Sequence, residues 1–487
     1  MNAAIKILTV LMMLQSPGVT AVKQYLEQQI ARGSLKGAQT GVSVRTMDGS
    51  EVLNFQADTR LTPASNLKLI TTGTALHAFG PDHRFRTELG YSGRIGPDGT
   101  LQGDLYILGG GDPTLGAKDS ISFKADALFW KWKTLLTQAG IRRIDGRIVG
   151  DGQAWEGMLE NDSWSYNDTG TYYGAGSDAL CFYQNAVDLE VAPSAPDTPV
   201  KAVQSYPETP WMHFENASRT AAAGTGNSLY LYTTDLAPYA QLRGTYAQDR
   251  KPKTEHFANK YGALTCAYYF WRNLTATGWE VTGGYAFVDR QGGIVGPDFA
   301  PGEKAAANVE KIGGSDSPAL ARIARETNLR SDNFYAEALF RNMGEAATGM
   351  AVYDSCRVAV KDVLEDLGLD PEALRMEDGC GLSRMNLVSP AFLTDFLVRM
   401  GGSPAFPAFL GSLPHPGEGT LAPIRLQEGA RIAVKSGSMT GVLCYSGYLL
   451  DGSGKPRLAV SLMVNGSLAT QAELRGVLVR ALTLLME

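Results

Sequence analysis

The sequence predicts an α+β protein, an antiparallel sheet flanked by helices and interrupted by a long β-rich insert. Three observations carry this expectation. Strand-like runs occur at both ends of the chain, at residues 40–45 and 51–55 and again at 431–438, 442–450 and 457–464. Helical patterns lie inside those strands, from residue 65 to Gly80-Pro81, from Ser317-Pro318 to about 327, and from 332 to 343. All seven tryptophans fall between Trp130 and Trp279, in a stretch rich in Tyr, Asn, Asp and Gly, whereas the flanks are rich in Ala, Leu and Val. That shift in composition marks a separate unit inserted into a domain built from both ends.

Taken in order, the chain opens on an export-like leader. Lys6 supplies the positive charge, residues 7–14 a short apolar core, and Val19-Thr20-Ala21 the small residues of a cleavage site. The apolar core is too short to span a bilayer, and the same residues would also suit a buried N-terminal helix. The expected organisation is a signal peptide over 1–21, a domain from 22–88 and 303–487, and an insert over 89–302 made of two nested units. Asp48-Gly49 is the hairpin turn between the first two strands. Gly80-Pro81 ends the first helix, and Gly109-Gly-Gly-Asp-Pro113 is a strong turn within the insert. Helical patterns are expected to return from about Ala305. Asp451-Gly-Ser-Gly454 turns the chain into its last strand, and residues 472–487 are amphipathic enough to pack as a domain helix. No membrane anchor is expected once the leader is removed.

Bulk properties exclude several classes. At 487 residues, 44% hydrophobic and 19% charged, the chain has ample core for two or three domains. A formal net charge of −6 with no long basic run argues against nucleic acid as a partner. Five well-separated cysteines without a C-x-x-C pair argue against a full disulfide framework, although one bridge is allowed. The five histidines show no ligand spacing, so neither a metal nor another cofactor is expected.

Chemistry is suggested first by Leu61-Thr-Pro-Ala-Ser-Asn-Leu-Lys-Leu-Ile70, where Ser65 stands three residues before Lys68. On a helix these positions share a face. Thr62 suits the N-cap and Pro63 the first helical position, which would put Ser65 in the first turn. There the helix dipole favours a developing negative charge, and a neutral lysine could take the serine proton to make a nucleophile. Alone, the spacing fits two ordinary helix residues better. Two more elements raise its meaning. Ser331-Asp-Asn333, at a helix start, could point a hydroxyl and an amide into a cleft, or could be a simple N-cap. Lys435-Ser-Gly-Ser438, at a strand end, could offer an extended peptide backbone hydrogen bonds and a cation for its carboxylate. Gly437 would let that peptide approach closely. Equally, Lys435 could be an edge-strand lysine followed by a polar turn.

Ser-x-x-Lys, then Ser-x-Asn, then Lys-[Ser/Thr]-Gly, in that order, resembles the penicillin-interacting serine acyltransferases. About 260 residues separate Ser65 from Ser331, more than a compact β-lactamase would hold. Asp378-Gly-Cys-Gly-Leu-Ser383, Ser331-Asp-Asn-Phe-Tyr-Ala-Glu337, Gly109-Gly-Gly-Asp-Pro-Thr-Leu115 and Ala179-Leu-Cys-Phe182 are similar to the D-alanyl-D-alanine carboxypeptidase/endopeptidase family called penicillin-binding protein 4, the class C low-molecular-mass penicillin-binding proteins. The resemblance covers nearly the whole mature chain. It implies a split transpeptidase-like, β-lactamase-like domain with a nested insert. It also implies a periplasmic enzyme acting on peptidoglycan stem peptides and cross-links, with β-lactam antibiotics as covalent inhibitors. Carried onto this sequence, it implies that Ser65 is acylated, Lys68 is the general base, Ser331 relays a proton to the leaving amine, and Asn333 positions substrate and Lys68. Lys435 would anchor the substrate electrostatically and discourage protonation of Lys68. Ser436 would bind the substrate carboxylate, and the backbone N–H groups of Ser65 and Ser438 would form the oxyanion hole.

A free lysine titrates near 10.4, so Lys68 needs burial and a nearby cation to serve as a base. Two positions depart from the commonest pattern: Ser436 stands where threonine is usual, and Cys380 where serine is common. A β-lactamase or esterase with the same acylation apparatus is the enzymatic alternative, although no Glu-x-x-x-Asn water-activating loop is evident. A catalytically idle wall-binding scaffold is the non-enzymatic one.

Overall fold

The computed structural model describes residues 17–427 and 431–487. Contacts divide the chain into two compact units, one of residues 17–83, Leu320–Gly344 and Tyr353–Glu487, the other of Arg84–Ala319 and Glu345–Val352.

The first unit is built on an antiparallel sheet in the order Glu51–Phe55, Gln39–Thr46, Pro456–Asn465, Val442–Leu450, Arg431–Met439. N-terminal and C-terminal strands therefore interleave in one sheet, which is why the sequence shows strand signals at both ends. The inner strand Val442–Leu450 is buried along almost its whole length, as expected where helices cover both faces. On one face the sheet shares a core with Val22 and Leu26 of helix Pro17–Arg32 and with Leu474, Leu478 and Leu482 of helix Gln471–Leu484. Each such leucine contributes about 1.5–3 kcal/mol by leaving water. Thr470 and Glu473 close a capping box at the start of the last helix. On the other face helix Pro390–Met400 is pinned by Thr394 to Ser43 at 2.7 Å and by Leu397, whose carbonyl accepts from Tyr448 at 2.8 Å. The apolar core expected for a leader, residues 7–14, lies outside the described residues. The expected cleavage point after Ala21 falls inside helix Pro17–Arg32.

The inserted unit carries a mixed sheet in the order Ile294–Val295, Tyr285–Val288, Ile148–Asp151, Leu105–Leu108, Arg86–Tyr91, Glu310–Asp316. Helices Ala125–Gln138 and Gly262–Ala276 bring Phe129, Trp132 and Phe270 into its core. A second core forms around Val187, Leu189, Leu231, Leu242 and Tyr246. All seven tryptophans belong to this unit. Its boundaries correct those expected. Strand Glu310–Asp316 pairs with Arg86–Tyr91, so residues 84–88 and 303–319 belong to the insert, and the expected return to helix near Ala305 is delayed to helix Leu320–Arg330. The pairing of two strands so distant in sequence left no local signal. The five cysteines are buried and unbridged.

Candidate active site

Helix Lys68–Phe79 is buried from Lys68 to Leu76. The segment before it differs from expectation. Ala64–Leu67 form a single 3-10 turn, and the α-helix begins only at Lys68. Thr62 does not cap; its hydroxyl donates to the carbonyl of Arg384 at 3.3 Å. The cause is Ala64, whose φ of 47° takes the chain out of helical geometry just before the nucleophile. This turn sits against strand Arg431–Met439. A Cβ on Gly437 would lie 2.4 Å from the Pro63 carbonyl and 3.0 Å from the Ser65 nitrogen. Gly437 is thus required by close packing under the nucleophile turn, a correction to its expected role of admitting substrate. Asn66 fixes the turn from the other side, donating to Ser446 at 2.7 Å.

Lys68 Nζ reaches Ser65 Oγ at 3.0 Å, Asn333 Oδ1 at 2.7 Å and the Cys380 carbonyl at 2.6 Å. All three partners can accept, and none is a carboxylate. Burial holds the lysine's proton affinity below its ordinary value, against the pull of Cys380, Asp378, Asp332 and Glu337.

Ser331 occupies a left-handed position, φ 60°, between helix Leu320–Arg330 and helix Asn333–Thr348. Asp332, not Ser331 or Asn333, caps the second helix, accepting from the Tyr335 N–H at 2.9 Å. The neighbouring side chains are thereby left for the site. Lys435 Nζ donates to Ser331 Oγ at 2.9 Å and to the Ser436 carbonyl at 2.7 Å. The Ser436 hydroxyl donates to Thr420 Oγ1 at 2.8 Å, and Ser438 is exposed on the same strand. That strand is the edge of its sheet. Burial holds Lys435 well below the ordinary lysine value, and the charge of Lys68 adds to this. The repulsion between the two amines disfavours charging both at once. Carboxylates favour the ammonium of Lys68, whereas no group does so for Lys435.

Ser65, Lys68, Asn333, Ser331 and Lys435 thus form two short chains of hydrogen bonds meeting at the Ser331–Asn333 corner. Sequence reasoning did not assign the loop that closes the site from behind. Asp378 accepts from the N–H groups of Gly381 at 2.7 Å and Ser383 at 2.6 Å and from Asn386 Nδ2 at 2.9 Å. A Cβ on Gly381, φ 85°, would lie 2.0 Å from the Ala64 carbonyl. The paired glycines of Asp378-Gly-Cys-Gly were the available signal, since they mark backbone packed against backbone. Thr420, isolated in a loop, gave none.

A family model described as the D-Ala-D-Ala carboxypeptidase 3 (S13) family matches residues 22–480. The chain belongs to that family. It is 29% identical over 467 residues to the D-alanyl-D-alanine carboxypeptidase of Actinomadura sp. (strain R39), covering 92% of this chain and 81% of the relative. It is 23% identical over 455 residues to D-alanyl-D-alanine carboxypeptidase DacB of Haemophilus influenzae, covering 88% and 86%. The crystal structure of penicillin binding protein 4 from H. influenzae superposes with a TM-score of 0.76 at 23% identity, covering 96% of this chain and 98% of that one. The fold is shared along the whole length. The same H. influenzae protein has also been solved in complex with a β-lactam. As a member of the S13 family the chain is a serine-type hydrolase of the D-Ala-D-Ala carboxypeptidase and penicillin-binding class. No described helix is long and apolar enough to cross a membrane.

Proposed function

We propose that this hydrolase cleaves the peptide bond between two D-alanines in peptidoglycan stem peptides and cross-links, through an acyl-enzyme on Ser65 that β-lactams also form. One observation carries the reading: a fully buried Lys68 amine held 3.0 Å from the Ser65 hydroxyl with only neutral acceptors in contact. Ser65 Oγ attacks the carbonyl and its proton passes to Lys68 Nζ. The oxyanion is met by the backbone N–H groups of Ser65 and Ser438. Ser331, bonded to Lys435, takes that proton from Lys68 and passes it to the departing amine, and water then adds to the acyl carbonyl and releases Ser65. The substrate's terminal carboxylate lies along the edge strand near Ser436 and Lys435. Its negative charge favours the ammonium form of Lys435, which in turn repels a proton from Lys68. Export to the periplasm, in line with Lys6 and residues 7–14, would place the enzyme beside this polymer.

The test is twofold. A fluorescent penicillin should label the protein with a stable adduct, located to Ser65 by peptide mass analysis and lost in Ser65→Ala. Purified muropeptides should lose a terminal alanine, or dimers should become monomers. Rapid turnover of the penicillin without muropeptide cleavage would assign a β-lactamase instead. An unlabelled protein that keeps its wall-binding phenotype in Ser65→Ala would assign a scaffold.

A further inference from the structure

We propose that Glu337 is a positioning residue for Lys68, holding residue 380 so that its carbonyl takes the lysine proton not used by Ser65 and Asn333, and placing a buried carboxyl behind the amine. The inference rests on the reading of Ser65 and Lys68 given above.

Glu337 lies one helical turn beyond Asn333 on helix Asn333–Thr348, so it shares a face with the residue that itself bonds Lys68. It is fully buried. Its Oε1 accepts from the Cys380 N–H at 2.7 Å, while the Cys380 carbonyl accepts from Lys68 at 2.6 Å. One residue is therefore gripped on its N–H by the carboxyl and on its C=O by the amine. Thr71, one turn along the helix from Lys68, holds the adjacent Gly379 carbonyl at 2.5 Å. Gly379 admits no side chain, since a Cβ would lie 2.8 Å from the Ala336 carbonyl and 2.6 Å from the Phe340 Cβ. Glu337 and its loop are thus fitted to one another, and the Cys380 side chain also bears on the carboxyl.

The groups that face this carboxyl are Asp378 and Cys380 from the loop, Lys68 from its helix, and Tyr353 and Cys356 from the next helix, where Arg341 of the Glu337 helix lies over the Tyr353 ring. Glu337, Asp378 and Cys380 also place ligand-type atoms within 4.8 Å of one another. Both Asp378 oxygens are engaged by N–H groups and Lys68 stands behind them, so the trio is internal bracing and not a cation site. Burial, with Asp378 adding, raises the Glu337 carboxyl to about 8. The carboxyl therefore gains its charge as the solution becomes mildly alkaline, and that charge strengthens the hold of Lys68 on its proton.

Acylation rates by a fluorescent penicillin, measured from pH 6 to 10 on the full chain, test this with two variants. Glu337→Ala frees residue 380, and acylation is expected to fall at least about tenfold at every pH. Glu337→Gln keeps an oxygen for the Cys380 N–H but never ionises. It is expected to restore the plateau rate and to move down by about one pH unit the part of the acid limb that lies above about 8, where the wild-type carboxyl is charged, because Lys68 then releases its proton more readily. A merely structural role would leave that limb in place. An unshifted profile in Glu337→Gln overturns the proposal even if Glu337→Ala fails to fold, as does wild-type acylation by a folded Glu337→Ala. A wild-type protein that is not acylated on Ser65 overturns the reading of the site itself, and this proposal with it.

Discussion

Of the three fully buried lysines among the described residues, Lys68, Lys260 and Lys435, the first two are buried to opposite ends. Lys260, in the inserted unit, donates to the carbonyls of Thr169, Gly174 and Ala175 and pairs with Glu160 at 2.5 Å. Lys68, in the split unit, touches a hydroxyl, an amide oxygen and a carbonyl, and among the described residues it forms no ion pair. Burial lowers the proton affinity of both. The contacting carboxylate of Lys260 opposes what burial removes, and the ion pair ties down the loop from Glu160 to Ala175. Lys68 keeps its carboxylates beyond contact, and its amine can part with a proton without breaking an ion pair. The neighbouring partners, not the depth of burial, decide whether a buried lysine is a structural pin or a base.

The sharpest way to break that comparison is to remove each amine. Lys68→Met should lower the rate of penicillin acylation by about 10²–10⁴-fold while leaving the melting temperature near wild type. Lys260→Met should do the reverse. It strands Glu160, whose side chain is 14% exposed, and should cost about 3–5 kcal/mol of stability with the acylation rate of the folded fraction unchanged. Chemical denaturation and a labelling time course on both variants would decide, and swapped phenotypes would refute the contrast.

Gly437→Ala should follow in size. The added methyl meets the Pro63 carbonyl and the Ser65 nitrogen, and a displacement approaching 1 Å at the nucleophile costs about 10²-fold. A variant acylated at the wild-type rate would mean that the turn yields freely.

A subtler contrast is carried by pH. The folded Glu337 carboxyl, raised to about 8 from an ordinary 4.5, binds its proton more tightly than in the unfolded chain. Its contribution to stability is full below 4.5 and is lost as pH rises to about 8. Urea midpoints measured across this window should decline less steeply in Glu337→Gln than in the wild type, and parallel declines would contradict the assignment. The smallest effect is expected at Ser436. Ser436→Ala removes one neutral hydrogen bond to Thr420 and should slow acylation about 3–10-fold. Ser436→Thr keeps the hydroxyl and should stay within about twofold of wild type.

Much of this was legible in the chain. Alternating and continuous apolar runs located the strands Gln39–Thr46, Glu51–Phe55 and Val442–Leu450 to within a residue or two. Residue types and spacing singled out Ser65, Lys68, Ser331, Asn333 and Lys435, which the fold brings together in two adjoining chains of hydrogen bonds. What escaped depended on partners far away in sequence. Thr62 looks like a cap, but the left-handed Ala64 delays the helix. Gly437 looks like room for substrate, but the space belongs to the Pro63 carbonyl. Glu337 looks like one more helical acid, and only the loop from Asp378 to Ser383 shows what it holds.

By itself, the sequence determined the class of fold, the presence of an inserted unit and the chemical groups available for acyl transfer, because periodicity, composition and side-chain chemistry are local properties. Only the tertiary structure decided where the insert begins, which lysine has carboxylates within reach, and what each glycine makes room for. Strand pairing across more than two hundred residues and the dielectric surroundings of an amine are made by groups that meet only when the chain has closed around them.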